Sequence, residues 1–366
     1  MRTPFHRNEY LQNGMLPVDI VLAPPWWHKH EGISFDEDFF FHPARRVEVE
    51  RRMEQALYER WGRFGLGADR GAELPVAGAV HLAAGFLISQ MLGCAVRYSE
   101  AKPPEVVAAN ASKLEVEPEA AFETPAFKRL ETLIDALEAK YGYAVGDVNF
   151  GGILNHALDV RGQNIFMDMI DQPDRAARFF AALAEVQDRF TMFIEKRTGT
   201  SSVSVNRNVR HISKPVYLHS ECSHVMISTA DYERFLLPFD AAWNRRRRPF
   251  GVHYCGEDPH RFAESYAKLP HLDFLDVGWP GDVKKLREHL PHTFLNIRYS
   301  PVEIVQQSPD EIRATVRRLV HDSGNPYLTG VCCINMDDRV TDDQVSALFE
   351  EVEQLRGEYA ASEPSA

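Results

Sequence analysis

The segment PFGVHYCG places His253 and Cys255 two residues apart in a run that reads as a β-strand. Side chains of a strand alternate faces, so these two project to one side, about 6.6 Å apart along the strand. Phe250, Val252 and Tyr254 project to the other side. An imidazole nitrogen and a thiolate sulfur on one face are a pair of metal donors, and Gly256 marks the C-terminal end of the strand, where barrel folds deliver functional groups. Cys332 and Cys333 end the last strand-like run, PYLTGVCCI, and carry a third donor to the same rim. Adjacent strand residues face oppositely, so only one of the two serves. One His and two Cys around zinc with the fourth position open is a catalytic type of site, because the opening admits substrate. The competing reading makes His253 a hydrogen-bonded interior residue and the thiols small core residues, since H-x-C alone is not a specific motif.

Other polar residues end the neighbouring strand-like runs. Glu221, in His219-Ser220-Glu221-Cys222, reads as a displaceable fourth ligand or as the proton acceptor of a catalytic step, against a charged residue hydrogen-bonded at the barrel mouth. Cys222 reads as an extra ligand or as packing. Asp276 and His219 are candidates for acid/base work, and Asp276, Trp279, Asn149, Asn155 and His219 for contacts to a substrate. In APPWWHKHEG, Trp26 and Trp27 read as an aromatic lid that excludes water, or as a folded plug or oligomer contact.

The elements that must position these residues follow from punctuation. PVYLHSE, PFGVHYCG, LDFLDVG, TFLNIRY and PYLTGVCCI read as strands, each followed by a helical run. Ser308 with Glu311, and Thr341 with Gln344, have capping-box spacing; Ser228 is an N-cap, and Gly142 stops the helix before it. Strict strand–helix alternation argues for α/β architecture and closure into a (β/α)8 TIM barrel with an N-terminal helical extension. Residues 1–70 read as the extension or lid, 71–357 as the barrel and 358–366 as a frayed tail. Val47, Met53, Leu57 and Trp61 give the extension a helical period.

Composition excludes several classes. A 366-residue chain with 44% hydrophobic and 26% charged residues is an ordinary globular protein. Its formal charge of −12 has the wrong sign for neutralising phosphates, so no nucleic-acid partner is expected. The N-terminus lacks the apolar core of a signal peptide and no run of about 18 apolar residues follows, so neither export nor a membrane is expected, and a cytoplasmic location is. Five cysteines, an odd number, argue for reduced thiols rather than a disulfide framework.

From about Cys94 to Arg356 the chain resembles the uroporphyrinogen decarboxylase superfamily, in particular its cobalamin-dependent methyltransferase branch. The resemblance rests on GCAVRYSEAKPPEV, GGILNHALDVRGQNIFMDMIDQPD, ISTADYERFLLPF, PFGVHYCG, SPVEIVQQSPDEI and the final Cys pair. It implies a (β/α)8 barrel in which a His-x-Cys pair and a last-strand Cys bind zinc, which activates a thiol for attack on a methyl–cobalt bond. His253 and Cys255 fall on the first pair, and alignment of the last strand favours Cys333 over Cys332 as the third ligand. The implied cofactors are Zn2+ and cobalamin, the latter on a corrinoid carrier protein, and the implied small-molecule partner is a methyl donor or acceptor; the sequence leaves the oligomeric state open, a homodimer being one option. Two departures stand out. The Arg-rich signature that grips porphyrinogen carboxylates is not recognisable, and Ile297-Arg298-Tyr299-Ser300-Pro301 replaces the family's small-residue turn. The expected function is a zinc-dependent transfer of a methyl group between a corrinoid and a small acceptor such as a thiol. The alternatives are a metal-independent decarboxylase-like lyase and a noncatalytic corrinoid- or metal-binding protein.

Overall fold

Apolar runs of four to eight residues separated by capped helices are too short to be helices, and they form parallel strands buried on both faces. The structure, a computed structural model, describes residues 5, 7, 10, 14–69, 73–78, 85–148, 151–199, 214 and 216–362. Among these the strands are β1 (Val18–Leu22), β2 (Val76–Gly78), β3 (Ala95–Ser99), β4 (Lys102–Val107), β5 (Val145–Asp147), β6 (Tyr217–Ser220), β7 (Phe250–Tyr254), β8 (Phe274–Val277), β9 (Phe294–Arg298) and β10 (Thr329–Met336). Six of them form a curled parallel sheet in the order β1-β10-β9-β8-β7-β6, with helices between consecutive strands, which is a TIM-like arrangement. β2 and β5 pair in parallel, Gly151 bridges Ser220 at the end of β6, and β3 and β4 form a separate antiparallel hairpin.

The expected helix signals are present. Ser228 and Ser308 cap their helices with reciprocal bonds to Asp231 and Glu311; Thr341 and Gln344 exchange the same pair of bonds; and Gly142 ends the helix Pro125–Tyr141 at φ 79°. Two boundaries differ. Val18–Leu22, expected within an N-terminal extension, is instead a strand of the six-stranded sheet, paired in parallel with β10. Its unbroken apolar face, Val18, Ile20 and Leu22, could not be left exposed and packs with the helices around it. The C-terminal helix Asp342–Ser362 continues through most of the segment read as frayed, with Glu358 tied to Arg317 at 2.7 Å.

The sheet sorts its side chains by strand alternation. Tyr217, Phe250, Val252, Tyr254, Leu275, Val277, Leu295 and Ile297 face the helix layer in one apolar cluster. Inside the curl, Leu218, Gly251, Phe274 and Phe294 are in register and make an apolar floor with Val216 and Tyr10. Gly251 is required there, because a Cβ would come within 2.8 Å of Leu218 and 2.9 Å of the Phe274 carbonyl. The next inward row is polar and also in register: Ser220, His253, Asp276 and Asn296. Replacing Phe274, which is 1% exposed, by Ala is expected to lower stability by about 3–5 kcal/mol in urea unfolding, and a loss under about 1 kcal/mol would mean that the floor is not close-packed.

Candidate metal centre

The parallel pairing of Ser220 with His253 brings the ends of β6 and β7 together, and the Glu221 amide donates to the His253 carbonyl at 2.8 Å. Beyond β6 the chain turns into the short helix Cys222–Met226, and beyond β7 it reaches Cys255. Cys222, His253 and Cys255 thereby offer a sulfur, a ring nitrogen and a sulfur that all lie within 4.8 Å of one another. Tetrahedral zinc with bonds of about 2.3 Å to sulfur and 2.0–2.1 Å to nitrogen needs donors about 3.4–3.8 Å apart, so small thiol rotations close this group on an ion. The donor set therefore fits zinc.

The row beneath holds the imidazole in place. His253 Nδ1 lies 2.9 Å from Asp276 Oδ2, and Asp276 Oδ1 accepts from Asn296 Nδ2 at 2.6 Å. With Nδ1 engaged, Nε2 is the nitrogen left for the thiols, the arrangement by which carboxylates orient metal-binding histidines. Burial alone would lower the His253 pKa, but Asp276 and Cys255 outweigh it and raise it to about 9. The Cys222 hydrogen bond holds Cys255 below the ordinary thiol range against its burial, while the same bond, with burial, holds Cys222 above it.

Other expected site residues take different positions. Cys333 faces the helix layer inside an apolar cluster, where burial pushes its thiol up to about 12. Cys332 faces inward, beside Asp19 on β1 and Arg298 on β9. Neither belongs to the group of three donors, whose second thiol is Cys222; the last strand lies three places along the sheet from β7, whereas β6 is its direct neighbour. Glu221 turns away. Its Oε1 accepts from the Ile153 amide at 3.0 Å, and its Oε2 lies 3.1 Å from His224 Nε2, so it serves the N-terminus of the helix Ile153–Arg161. Gly152 makes room for it, since a Cβ there would come within 2.0 Å of the Glu221 carboxyl carbon. Asp276 is an orienting group behind His253.

Trp26 and Trp27 are each 1% exposed, in the helix Pro24–Glu31, where they pack edge to face within the apolar core; Trp27 Nε1 donates to the Leu22 carbonyl. They are core residues and not a lid. Trp279 Nε1 donates to Glu303 at 2.9 Å. Asn155 Oδ1 accepts from the Ser223 amide at 3.1 Å and so steadies the turn that carries Cys222. It also lines, with Cys222, Ser220, His156, Asp159 and Glu105, a cavity of about 470 Å3 beside the donor group. His219 belongs to β6, and Asn149 lies outside the described residues.

The fold recurs in solved structures. A methyltransferase from Methanosarcina mazei superposes with a TM-score of 0.66 at 14% identity, covering 95% of each chain. A B12-independent methionine synthase from Shewanella sp. W3-18-1, in complex with selenomethionine, superposes with a TM-score of 0.53 at 9% identity, covering 95% of this chain and 99% of that one. At such identities the likeness is one of fold, the TIM-like α/β class. No protein-family model and no curated protein matches the sequence.

Replacing Asp276 by Ala releases the imidazole and is expected to weaken zinc binding about 10–100-fold. Competition against a chromogenic chelator measures it; unchanged affinity would show that the His253–Asp276 contact does not support a metal.

Proposed function

We propose that this chain is a zinc-dependent methyltransferase that moves a methyl group from a corrinoid, carried by a separate protein, to a small thiol acceptor. The observation that carries the reading is the convergence of Cys222, His253 and Cys255 at the end of two adjacent strands, with Asp276 behind the histidine. Zinc bound by these three residues would lower the pKa of an acceptor thiol while leaving its sulfur nucleophilic. Asp276 and Asn296 hold the ring orientation, and Asn155 holds the turn of Cys222. In the transfer a sulfur–carbon bond forms as the methyl–donor bond breaks, with the electron pair leaving on the donor and the thiol proton passing to solvent. The cavity beside Cys222 is of a size for a small molecule.

The proposed scaffold is a closed (β/α)8 barrel of β1, β2 and β5 to β10. The parallel pairing of β2 with β5 and the Gly151–Ser220 bridge support its continuity past β6. The methyltransferase likeness in fold supports the reaction class. The B12-independent methionine synthase favours a second version, in which the same metal-activated thiol takes its methyl group from a donor other than a corrinoid.

Zinc content by atomic emission and demethylation of methylcobalamin in the presence of 2-mercaptoethanol test the reading. The wild type is expected to carry one zinc and to turn over. Cys222→Ser and Cys255→Ser are expected to lose both properties by at least about 100-fold, while Cys333→Ala keeps both. A wild type that binds no supplied zinc overturns the proposal. Stoichiometric zinc with thiol methylation only from a corrinoid-free donor selects the second version.

A further inference from the structure

A second buried polar chain borders the cavity beside Cys222. The start of the helix Ile153–Arg161 is joined directly to the segment that carries this thiol: Gly151 bridges Ser220, the Gly152 amide donates to the Ser220 carbonyl at 2.6 Å, and Asn155 Oδ1 accepts from the Ser223 amide. His156, the next residue, is buried and lines the same cavity as Cys222. A Cβ at Gly151 would come within 3.3 Å of His156 Cε1, so the ring lies against the main chain that meets β6. Its Nδ1 is 3.3 Å from Ser89 Oγ, and that hydroxyl donates to Asp159 Oδ2 at 2.6 Å. Ser89 comes from the helix Leu87–Met91, and Asp159 from the next turn of the helix of His156.

A hydroxyl has one hydrogen, and that of Ser89 is spent on Asp159. Ser89 Oγ therefore accepts from His156, so Nδ1 carries the ring proton and Nε2 is the basic nitrogen. A carboxylate behind the hydroxyl steadies the imidazolium that forms when Nε2 takes a proton. Burial raises the Asp159 pKa and the Ser89 bond lowers it. The charged and titratable groups around the ring are otherwise engaged. Cys94 donates to the Asp159 carbonyl and is pushed up to about 11, by burial and then by Asp159, so it stays neutral. Glu105 of β4 lies 4.0 Å from Arg97, Asp168 holds Arg161, and Glu221 and His224 face each other. The helix Pro173–Thr198 packs apolar side chains against the helix of His156.

We infer that His156 is a catalytic base that takes the proton of the acceptor thiol from within this cavity, with Ser89 and Asp159 as its positioning residues. The inference rests on the methyl-transfer reading and supplies the route by which the thiol proton reaches solvent. The S–H bond of the acceptor breaks, its electron pair stays on the sulfur, and the proton forms a bond to Nε2. Release of that proton to solvent after the transfer restores the neutral ring.

Nitrogen NMR of the full-length protein with isotope-labelled histidine, without and with zinc, reads the tautomer, the His156 signal being the one lost in His156→Gln. The wild type is expected to show Nδ1–H in both states, and Ser89→Ala a mixture with Nε2–H. The second readout is the pH profile of kcat/KM for methylation of 2-mercaptoethanol by methylcobalamin. The wild type is expected to hold a level rate through neutral pH. His156→Gln is expected to keep its zinc, to fall about 100-fold at neutral pH, and to climb about tenfold per pH unit toward the ordinary thiol range, about 8.5, because only preformed thiolate then reacts. Added imidazole is expected to restore part of the rate to His156→Ala, and Ser89→Ala to lose about tenfold with the level profile kept. An Nε2–H tautomer in the wild type overturns the inference, whether or not the variants fold, and so does a level profile in His156→Gln or the loss of its zinc. If the wild type neither binds zinc nor methylates a thiol, the methyl-transfer reading falls and the base with it. If it does both and His156→Gln keeps the profile, the base alone falls.

Discussion

Everything at the proposed centre depends on one buried contact, that of the His253 imidazole with the Asp276 carboxylate. Taking either group out of water alone would cost several kcal/mol, so each is tolerable only with the other in place. Asn296 completes the arrangement by donating to the second carboxylate oxygen. The three residues come from three adjacent strands at one height, so the register of the sheet and the chemistry of the site are the same constraint. A slip of one residue in β8 would turn Asp276 to the helix layer and leave His253 without a partner.

Glycines make this polar row possible above an apolar floor. Gly251 lets Leu218 and Phe274 close beneath His253, and Gly330 lets Phe294 and Asn296 approach β10, where a Cβ would come within 2.8 Å of the Phe294 ring. At the rim, a Cβ at Gly278 would come within 1.9 Å of the Gly256 carbonyl, so the loop after β8 presses directly on the backbone that follows Cys255. The donor set is thus held from below by side chains and from above by main chain. Two positions of interest, Glu221 and the Trp26–Trp27 pair, contribute in another way: the carboxylate finishes a helix terminus beside the site, and the tryptophans fill the core behind β1.

The sheet also explains how residues of equal chemical promise acquire different fates. Cys332 and Cys333 are neighbours in sequence, yet one faces Arg298 and Asp19 inside the curl and the other faces aliphatic side chains outside it. Cys222 follows a strand hydrogen-bonded to β7 and joins His253 and Cys255, whereas the thiols of β10 are separated from β7 by two whole strands. The basic run Arg246 to Arg248 shows the same economy, since it is absorbed by Asp188, Glu195 and Asp273.

By itself the sequence determined what local rules control. Alternation put His253 and Cys255 on one face, capping residues set the helix starts, and apolar runs marked the parallel strands. Each of those depends on residues within a few positions of one another. Only the tertiary structure decided that Val18–Leu22 is a sheet strand, that Cys222 completes the donor group in place of Cys333, and that Glu221 turns to the helix Ile153–Arg161. These depend on strand order and on the register between strands distant in the chain. Burial of polar groups at one height sets them, and no local pattern encodes it.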